Sequence, residues 1–229
     1  EYGGWEKGPQ LKATGRFRVE KYNGKWWFVD PNGKLFWSQG LDCVEFGTQS
    51  QTRITGCENY FSYLPEQGSP EAELYNSRKM GDKTNRMLSF HALNLFRKYG
   101  ESWREISNNR IHQRMRSWGM NTIANWSQSS IYLMRRTPYV GTISFSARTL
   151  EGSTGYWGKF YDVFDPSFRE NMRKAAAGFV NQGADDPWCI GFFVHNELAW
   201  GDEVSLALAA LKSPADQTAK NVFIADLKA

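Results

Sequence analysis

Apolar and polar positions alternate along residues 15–22, residues 25–30 form an aromatic-rich apolar run, and Asn23-Gly24 sits between the two. That dipeptide between two such runs predicts a β-hairpin, because both residues tolerate the left-handed backbone of a tight turn. A second turn, Asp30-Pro31-Asn32-Gly33, leads into residues 34–38, which read as the first strand of a main sheet ending at Gly40-Leu41-Asp42-Cys43. Residues 46–83 are rich in Gly, Ser, Pro, Gln and Asn and read as a long irregular insertion walling a cleft. Leu88, Ala92, Leu95, Phe96 and Tyr99 recur at helical spacing up to Gly100, as do Ile111, Met115 and Trp118 up to Gly119, so both stripes are expected in the core. Strands are expected over 119–124 and 139–145, with a short helix near 129–136 between them. Residues 152–165 place Tyr156, Trp157, Phe160 and Tyr161 in a Gly-rich loop. Asp165-Pro166 opens a helix, with Asp as cap and Pro in the first turn, expected to reach Gln182-Gly183. The apolar run 188–194 then reads as a central strand covered on both faces.

A hairpin followed by strand, helix, strand, helix, strand, helix and strand predicts a parallel α/β arrangement. From Pro214 a last helical pattern runs to Ala229 with no stop signal, and the sequence is expected to be the front half of a larger unit.

Composition narrows the function classes. The net charge of +4 is dispersed, with no basic block, so neither nucleic acid nor an anionic membrane is expected as a partner. No window approaches the roughly 20 apolar residues of a membrane span. Cys43, Cys57 and Cys189 are too few and too irregular for a disulfide framework or a zinc site, and His91, His112 and His195 lie far apart. No metal and no cofactor are therefore expected. Cys43 and Cys189 read as buried small hydrophobes, and Trp37 and Trp188 as core residues. Ten Trp residues within a 15% aromatic content supply either a large core or flat floors for sugar rings.

Chemistry in parallel α/β sheets gathers past the carboxyl ends of strands. There the apolar run gives way to His195-Asn196-Glu197 and then to Trp200. Glu197, expected to be partly desolvated beside Phe193 and two indoles, is the candidate general acid/base. Its structural alternative is the start of a helix. Asp42 and Asn125-Trp126 stand at other strand ends, so these residues converge on one face if the sheet is parallel and curled.

A resemblance is carried by residues 15–20, 26–33 and 36–44, by residues 119–126, and by residues 186–201 with their Asn196-Glu197 pair. On these the sequence resembles clan A glycoside hydrolases, whose fourth strand ends in Asn-Glu, and more narrowly the β-agarase family 50 and its relatives. The resemblance implies a (β/α)8 TIM-type barrel. This chain would supply a linker over 1–14, a hairpin over 15–33, and the first half of the barrel, about four β/α units, over 34–229. It implies a retaining enzyme acting on galactose-containing polysaccharide, with Glu197 as acid/base and Asn196 on the sugar's 2-hydroxyl. His195, Trp200, Asn125, Trp126 and Asp42 would contact substrate. The nucleophile would come from a later strand outside this chain, so the C-terminal half of the barrel is an implied partner, and the substrate class points to a secreted or periplasmic setting. Two alternatives remain open: a carbohydrate-binding barrel without catalysis, and a half-barrel subunit needing a partner chain.

Overall fold

The computed structural model describes residues 1–47, 50–179, 183 and 185–229. It divides into two compact units: residues 1–3 with 37–138, and residues 4–36 with 139–229. The second unit begins with the hairpin. Strands β1 (Arg18–Tyr22) and β2 (Lys25–Val29) pair antiparallel with Tyr22 opposite Lys25. Asn23 and Gly24 therefore form a two-residue turn with φ of 48° and 79°, as the sequence predicts. β3 (Leu35–Phe36) joins β2 antiparallel, with Leu35 opposite Val29.

This differs from the expectation that residues 34–38 open a parallel sheet, and the turn explains why. The buried Asp30 carboxylate accepts the N–H groups of Asn32 and Lys34, at 3.0 and 2.9 Å, and Gly33 turns at φ 85°. The chain thus folds straight back on β2, whereas a parallel pairing needs a crossover of roughly a dozen residues.

In the first unit β4 (Gly40–Leu41) pairs in parallel with β8 (Thr122–Ile123). The backbones approach so closely that a side chain at Gly40 would strike the Thr122 carbonyl. The span read as irregular instead holds an antiparallel sheet in the order β5-β7-β6, made of β5 (Thr52–Arg53), β6 (Tyr75–Met80) and β7 (Lys83–Leu88). Met80 faces Lys83 across a Gly81-Asp82 turn, with Gly81 at φ 61°. Leu88 accordingly lies in a strand and not in the helical stripe, and it packs with Ile54 and Leu93.

Helix α1 (Phe90–Tyr99) starts at Ser89, whose hydroxyl accepts the Ala92 N–H. α2 (Trp103–Ser117) buries Trp103, His112 and Met115. Trp118, expected in the core, is 58% exposed because the helix stops one residue earlier and Gly119 turns the chain at φ 74°. The short helix α3 spans Ser129–Tyr132.

The rest of the second unit is α/β. β9 (Tyr139–Ile143) pairs in parallel with β10 (Cys189–Val194), and α4 (Pro166–Ala177) lies between them in sequence. Asp165 caps α4 by accepting the Ser167 N–H at 3.0 Å, with Pro166 in the first turn. The expected helix end at Gln182 lies outside the described residues. β10 is not covered on both faces: Phe193 and Val194 are each 49% exposed, and β9 is its one ladder partner among the described residues. Helices α5 (Ser205–Lys212) and α6 (Thr218–Lys228) close on Leu150, Phe160, Ala209, Ala210 and Ala219. No helix among the described residues is long and apolar enough to cross a membrane.

Candidate active site

Just past β10 the backbone does something L-residues avoid. His195 and Glu197 both adopt positive φ, 60° and 47°, a conformation that costs about 1–3 kcal/mol per residue and persists only where the surroundings enforce it. The enforcement is visible on either side. The His195 N–H extends the parallel ladder by donating to the Ile143 carbonyl at 2.9 Å. The His195 ring lies against Phe145 at 4.4 Å and stacks on Tyr161 at 4.8 Å. Beyond Glu197, Leu198 packs onto the Leu150–Phe160–Ala209 cluster. Glu197 is thereby presented on a short arch pinned at both feet.

The carboxylate is exposed, contrary to the expected desolvation beside Phe193. The reason is that Phe193 and Val194 are themselves half open to solvent. The indole that matters is neither Trp188 nor Trp200 but Trp157, whose Nε1–H donates to Glu197 Oε2 at 2.6 Å. Trp157 sits at the tip of the 152–158 loop, where Gly158 N–H bonds back to Gly155 at 3.3 Å and Tyr156 packs edge-on against it at 4.8 Å. A β-carbon on Gly155 would fall 2.4 Å from Ala199 Cβ, so the loop lies directly on the arch that carries Glu197.

The base of this loop is rigid. Asp162 is fully buried and accepts four hydrogen bonds: Oδ1 from the N–H groups of Phe164 and Asp165, both at 3.1 Å, and Oδ2 from Gln217 Nε2 at 2.6 Å and the Ala219 N–H at 3.0 Å. Gln217, also fully buried, accepts the Glu151 N–H, and Ser213 Oγ accepts that of Gly152.

His195 Nε2 is buried without a hydrogen-bond partner among the described residues, and burial pulls its imidazole below the ordinary histidine pKa. The ring therefore favours the neutral form. Asn196 is exposed beside it. Trp200 is 61% exposed, leans on Phe160 at 4.8 Å and borders a cavity of about 230 Å³ lined also by Ser153, Thr154, Ala199 and Lys212. Glu197 is not among its lining residues. A wider hollow of about 710 Å³ follows α4, but its carboxylates are committed: Asp165 to Ser167, and Glu170 to Lys174 at 2.7 Å.

In the first unit, Asp42, Asn125 and Trp126 also follow strand ends. Asp42 is exposed, Asn125 is buried with its carbonyl accepting the Cys43 N–H at 2.9 Å, and Trp126 is 44% exposed. Cys43 and Trp126 again have positive φ, 52° and 56°. Cys43 is exposed and Trp37 is 72% exposed, so neither belongs to the core as expected; both flank the two-residue strand β4, which is too short to carry them inward. Cys189 is buried, and burial raises its thiol pKa. Among the described residues no group of three or more His, Cys, Asp or Glu stands close enough to hold a metal.

No family model matches the chain. It is 33% identical to β-agarase B of Vibrio sp. (strain JT0107) over an alignment 233 residues long that covers 88% of this chain and 24% of that protein. It is 30% identical to β-agarase A of the same strain over an alignment 196 residues long that covers 79% of this chain and 19% of that protein. The crystal structure of an agarase superposes with a TM-score of 0.85 at 28% identity, and that of an exo-β-agarase with 0.85 at 27%. Each of these covers 99% of this chain, which corresponds to 37% and 38% of the respective solved chains. The chain spans a quarter or less of the length of the curated relatives it matches, and over that span it is similar in sequence and in fold to β-agarases.

Proposed function

We propose that this chain carries the acid/base of a retaining β-glycoside hydrolase that cleaves agarose or a closely related galactan, within a (β/α)8 barrel. The observation that carries the reading is Glu197. It is an exposed carboxylate on a strained arch at the C-terminal end of a parallel strand, bonded by the N–H of Trp157, against which the exposed ring of Tyr156 packs, and Trp200, three residues further on, is exposed as well. Such rings give sugars the flat apolar floor their C–H faces need, and similarity to β-agarases supports agarose as the sugar.

In the first half-reaction Glu197 protonates the departing glycosidic oxygen while a second carboxylate, roughly 5–5.5 Å away, attacks the anomeric carbon. In the second, Glu197 removes a proton from the water that releases the sugar. Asn196 meets the 2-hydroxyl. The second carboxylate lies outside the residues of this chain. Asp42, Asn125, Trp126, His195 and Trp200 serve as substrate contacts.

Glu197→Gln in the full-length protein tests this, because the amide keeps the shape and the hydrogen bond site but delivers no proton. Loss of a general acid costs about 10²–10⁴-fold in rate, so release of new reducing ends from agarose should fall by that much. Undiminished release would end the assignment. Saccharide affinity with no release from the unmutated protein would favour the binding reading.

A further inference from the structure

We propose that Trp157 is a positioning residue that decides which oxygen of Glu197 moves the proton. The proposal rests on the acid/base reading of Glu197. An indole Nε1–H can donate but never accept, and it does not ionise in the working range of an enzyme. At 2.6 Å from Oε2 it leaves that oxygen a single role, acceptor, whatever the protonation state of the carboxyl. The transferable proton is therefore carried on Oε1.

In the acid step the Oε1–H bond breaks and a new O–H bond forms on the glycosidic oxygen. That oxygen leaves the anomeric carbon with the bonding pair, and the nucleophile's carboxylate oxygen takes its place. The charge left on Glu197 is met at Oε2 by the indole N–H. In the base step Oε1 takes a proton from water, the water oxygen bonds to the anomeric carbon, and the carbon–nucleophile bond breaks. Trp157 remains a donor throughout, so Oε1 faces the sugar in both halves.

The loop is built to hold this contact. Its base is locked through Asp162, Gln217 and Ser213, while its tip rests on Ala199 through Gly155, whose hydrogen is the largest group that fits there. Gly155 does not have positive φ, and a β-carbon there would fall 2.3 Å from the Gly158 carbonyl oxygen and 2.4 Å from Ala199 Cβ, so Ala at this position acts by reshaping the loop tip and lifting it off the arch.

The test uses the full-length protein and two substrates: an agaro-oligosaccharide, whose sugar leaving group needs protonation, and a dinitrophenyl glycoside of the same sugar unit, whose leaving group does not. Trp157→Phe keeps a ring and removes the donor. It should lower kcat/KM for the oligosaccharide about tenfold, the low end for a hydrogen bond to a charged group, and leave that for the aryl glycoside within about twofold. Gly155→Ala should reproduce this leaving-group dependence with the indole still present. Equal losses on both substrates would mean that Trp157 is a sugar platform or a structural prop, and no loss on either would mean the bond is idle; each result overturns the proposal. Glu197→Gln run alongside separates the levels. If it retains turnover, the acid/base reading has failed; if it collapses while Trp157→Phe shows no leaving-group dependence, only the present proposal has.

Discussion

Asp162→Ala should loosen one corner of the second unit without touching a sugar. The carboxylate is fully buried and satisfies three backbone N–H groups and one side-chain amide, tying the start of α4 to the start of α6. Truncation takes this acceptor from the buried Gln217 amide and Ala219 N–H and from the part-buried Phe164 N–H, while the Asp165 N–H keeps the Asp162 backbone carbonyl at 3.1 Å. Each orphaned donor costs about 1–3 kcal/mol, and partial repair by entering water keeps the total below their sum, so about 4 kcal/mol is expected. At 1.4 kcal/mol per decade that is nearly 10³ in the local opening equilibrium. Amide hydrogen exchange read on peptides covering 160–166 and 215–220 of the full-length protein reports this directly, and protection there should fall by two to three orders of magnitude. Peptides from β1 and β2 should be unaffected. Protection within about threefold of the unmutated protein would refute the reasoning, since it would mean the network adds nothing beyond what water supplies.

Two further outcomes follow from the first unit. His112 bridges Thr137 Oγ1 and the Ile131 carbonyl, and burial, helped by Arg136 and Arg116, holds its imidazole below the ordinary value of about 6.5 despite the opposing Ile131 bond. The unfolded chain therefore binds this proton first, stability falls as pH drops below about 6.5, and His112→Gln should flatten that part of the pH dependence in denaturation midpoints taken between about pH 5 and 7. Ser89→Ala removes both the cap of α1 and the donor to the Gly47 carbonyl, both buried, and should cost about 2 kcal/mol in urea titration, at the upper end for a lost cap.

Legibility of the fold followed how local the cause was. Asn23-Gly24 and Asp165-Pro166 act within a few residues, and both elements form where the sequence places them. β6 and β7 went unread because five of the six residues of β6 are exposed, so no apolar alternation marks them. Their one sign is Gly81-Asp82, a two-residue turn whose first position needs the positive φ that glycine supplies. Trp118 was misread because periodicity cannot say where a helix stops, and the stripe was extended one residue past its last turn.

At the site, the position of Glu197 was readable and its surroundings were not. Glu197 stands past the end of β10 on a turn whose backbone goes left-handed at His195 and again at Glu197, so the aromatics beside it in sequence do not define what surrounds its side chain. The partner that does, Trp157, is 40 residues away. Parallel topology nonetheless restricts where such a partner can come from. β9 and β10 run side by side with Ile143 level with Val194, so the loop leaving β9 must begin beside the arch leaving β10. An indole placed between two glycines in that loop, at 155 and 158, can reach the arch because one glycine lets the backbone rest on Ala199. The same logic makes the glycine as consequential as the tryptophan: each removes the donor from Oε2, one by deleting the N–H and the other by moving it out of reach.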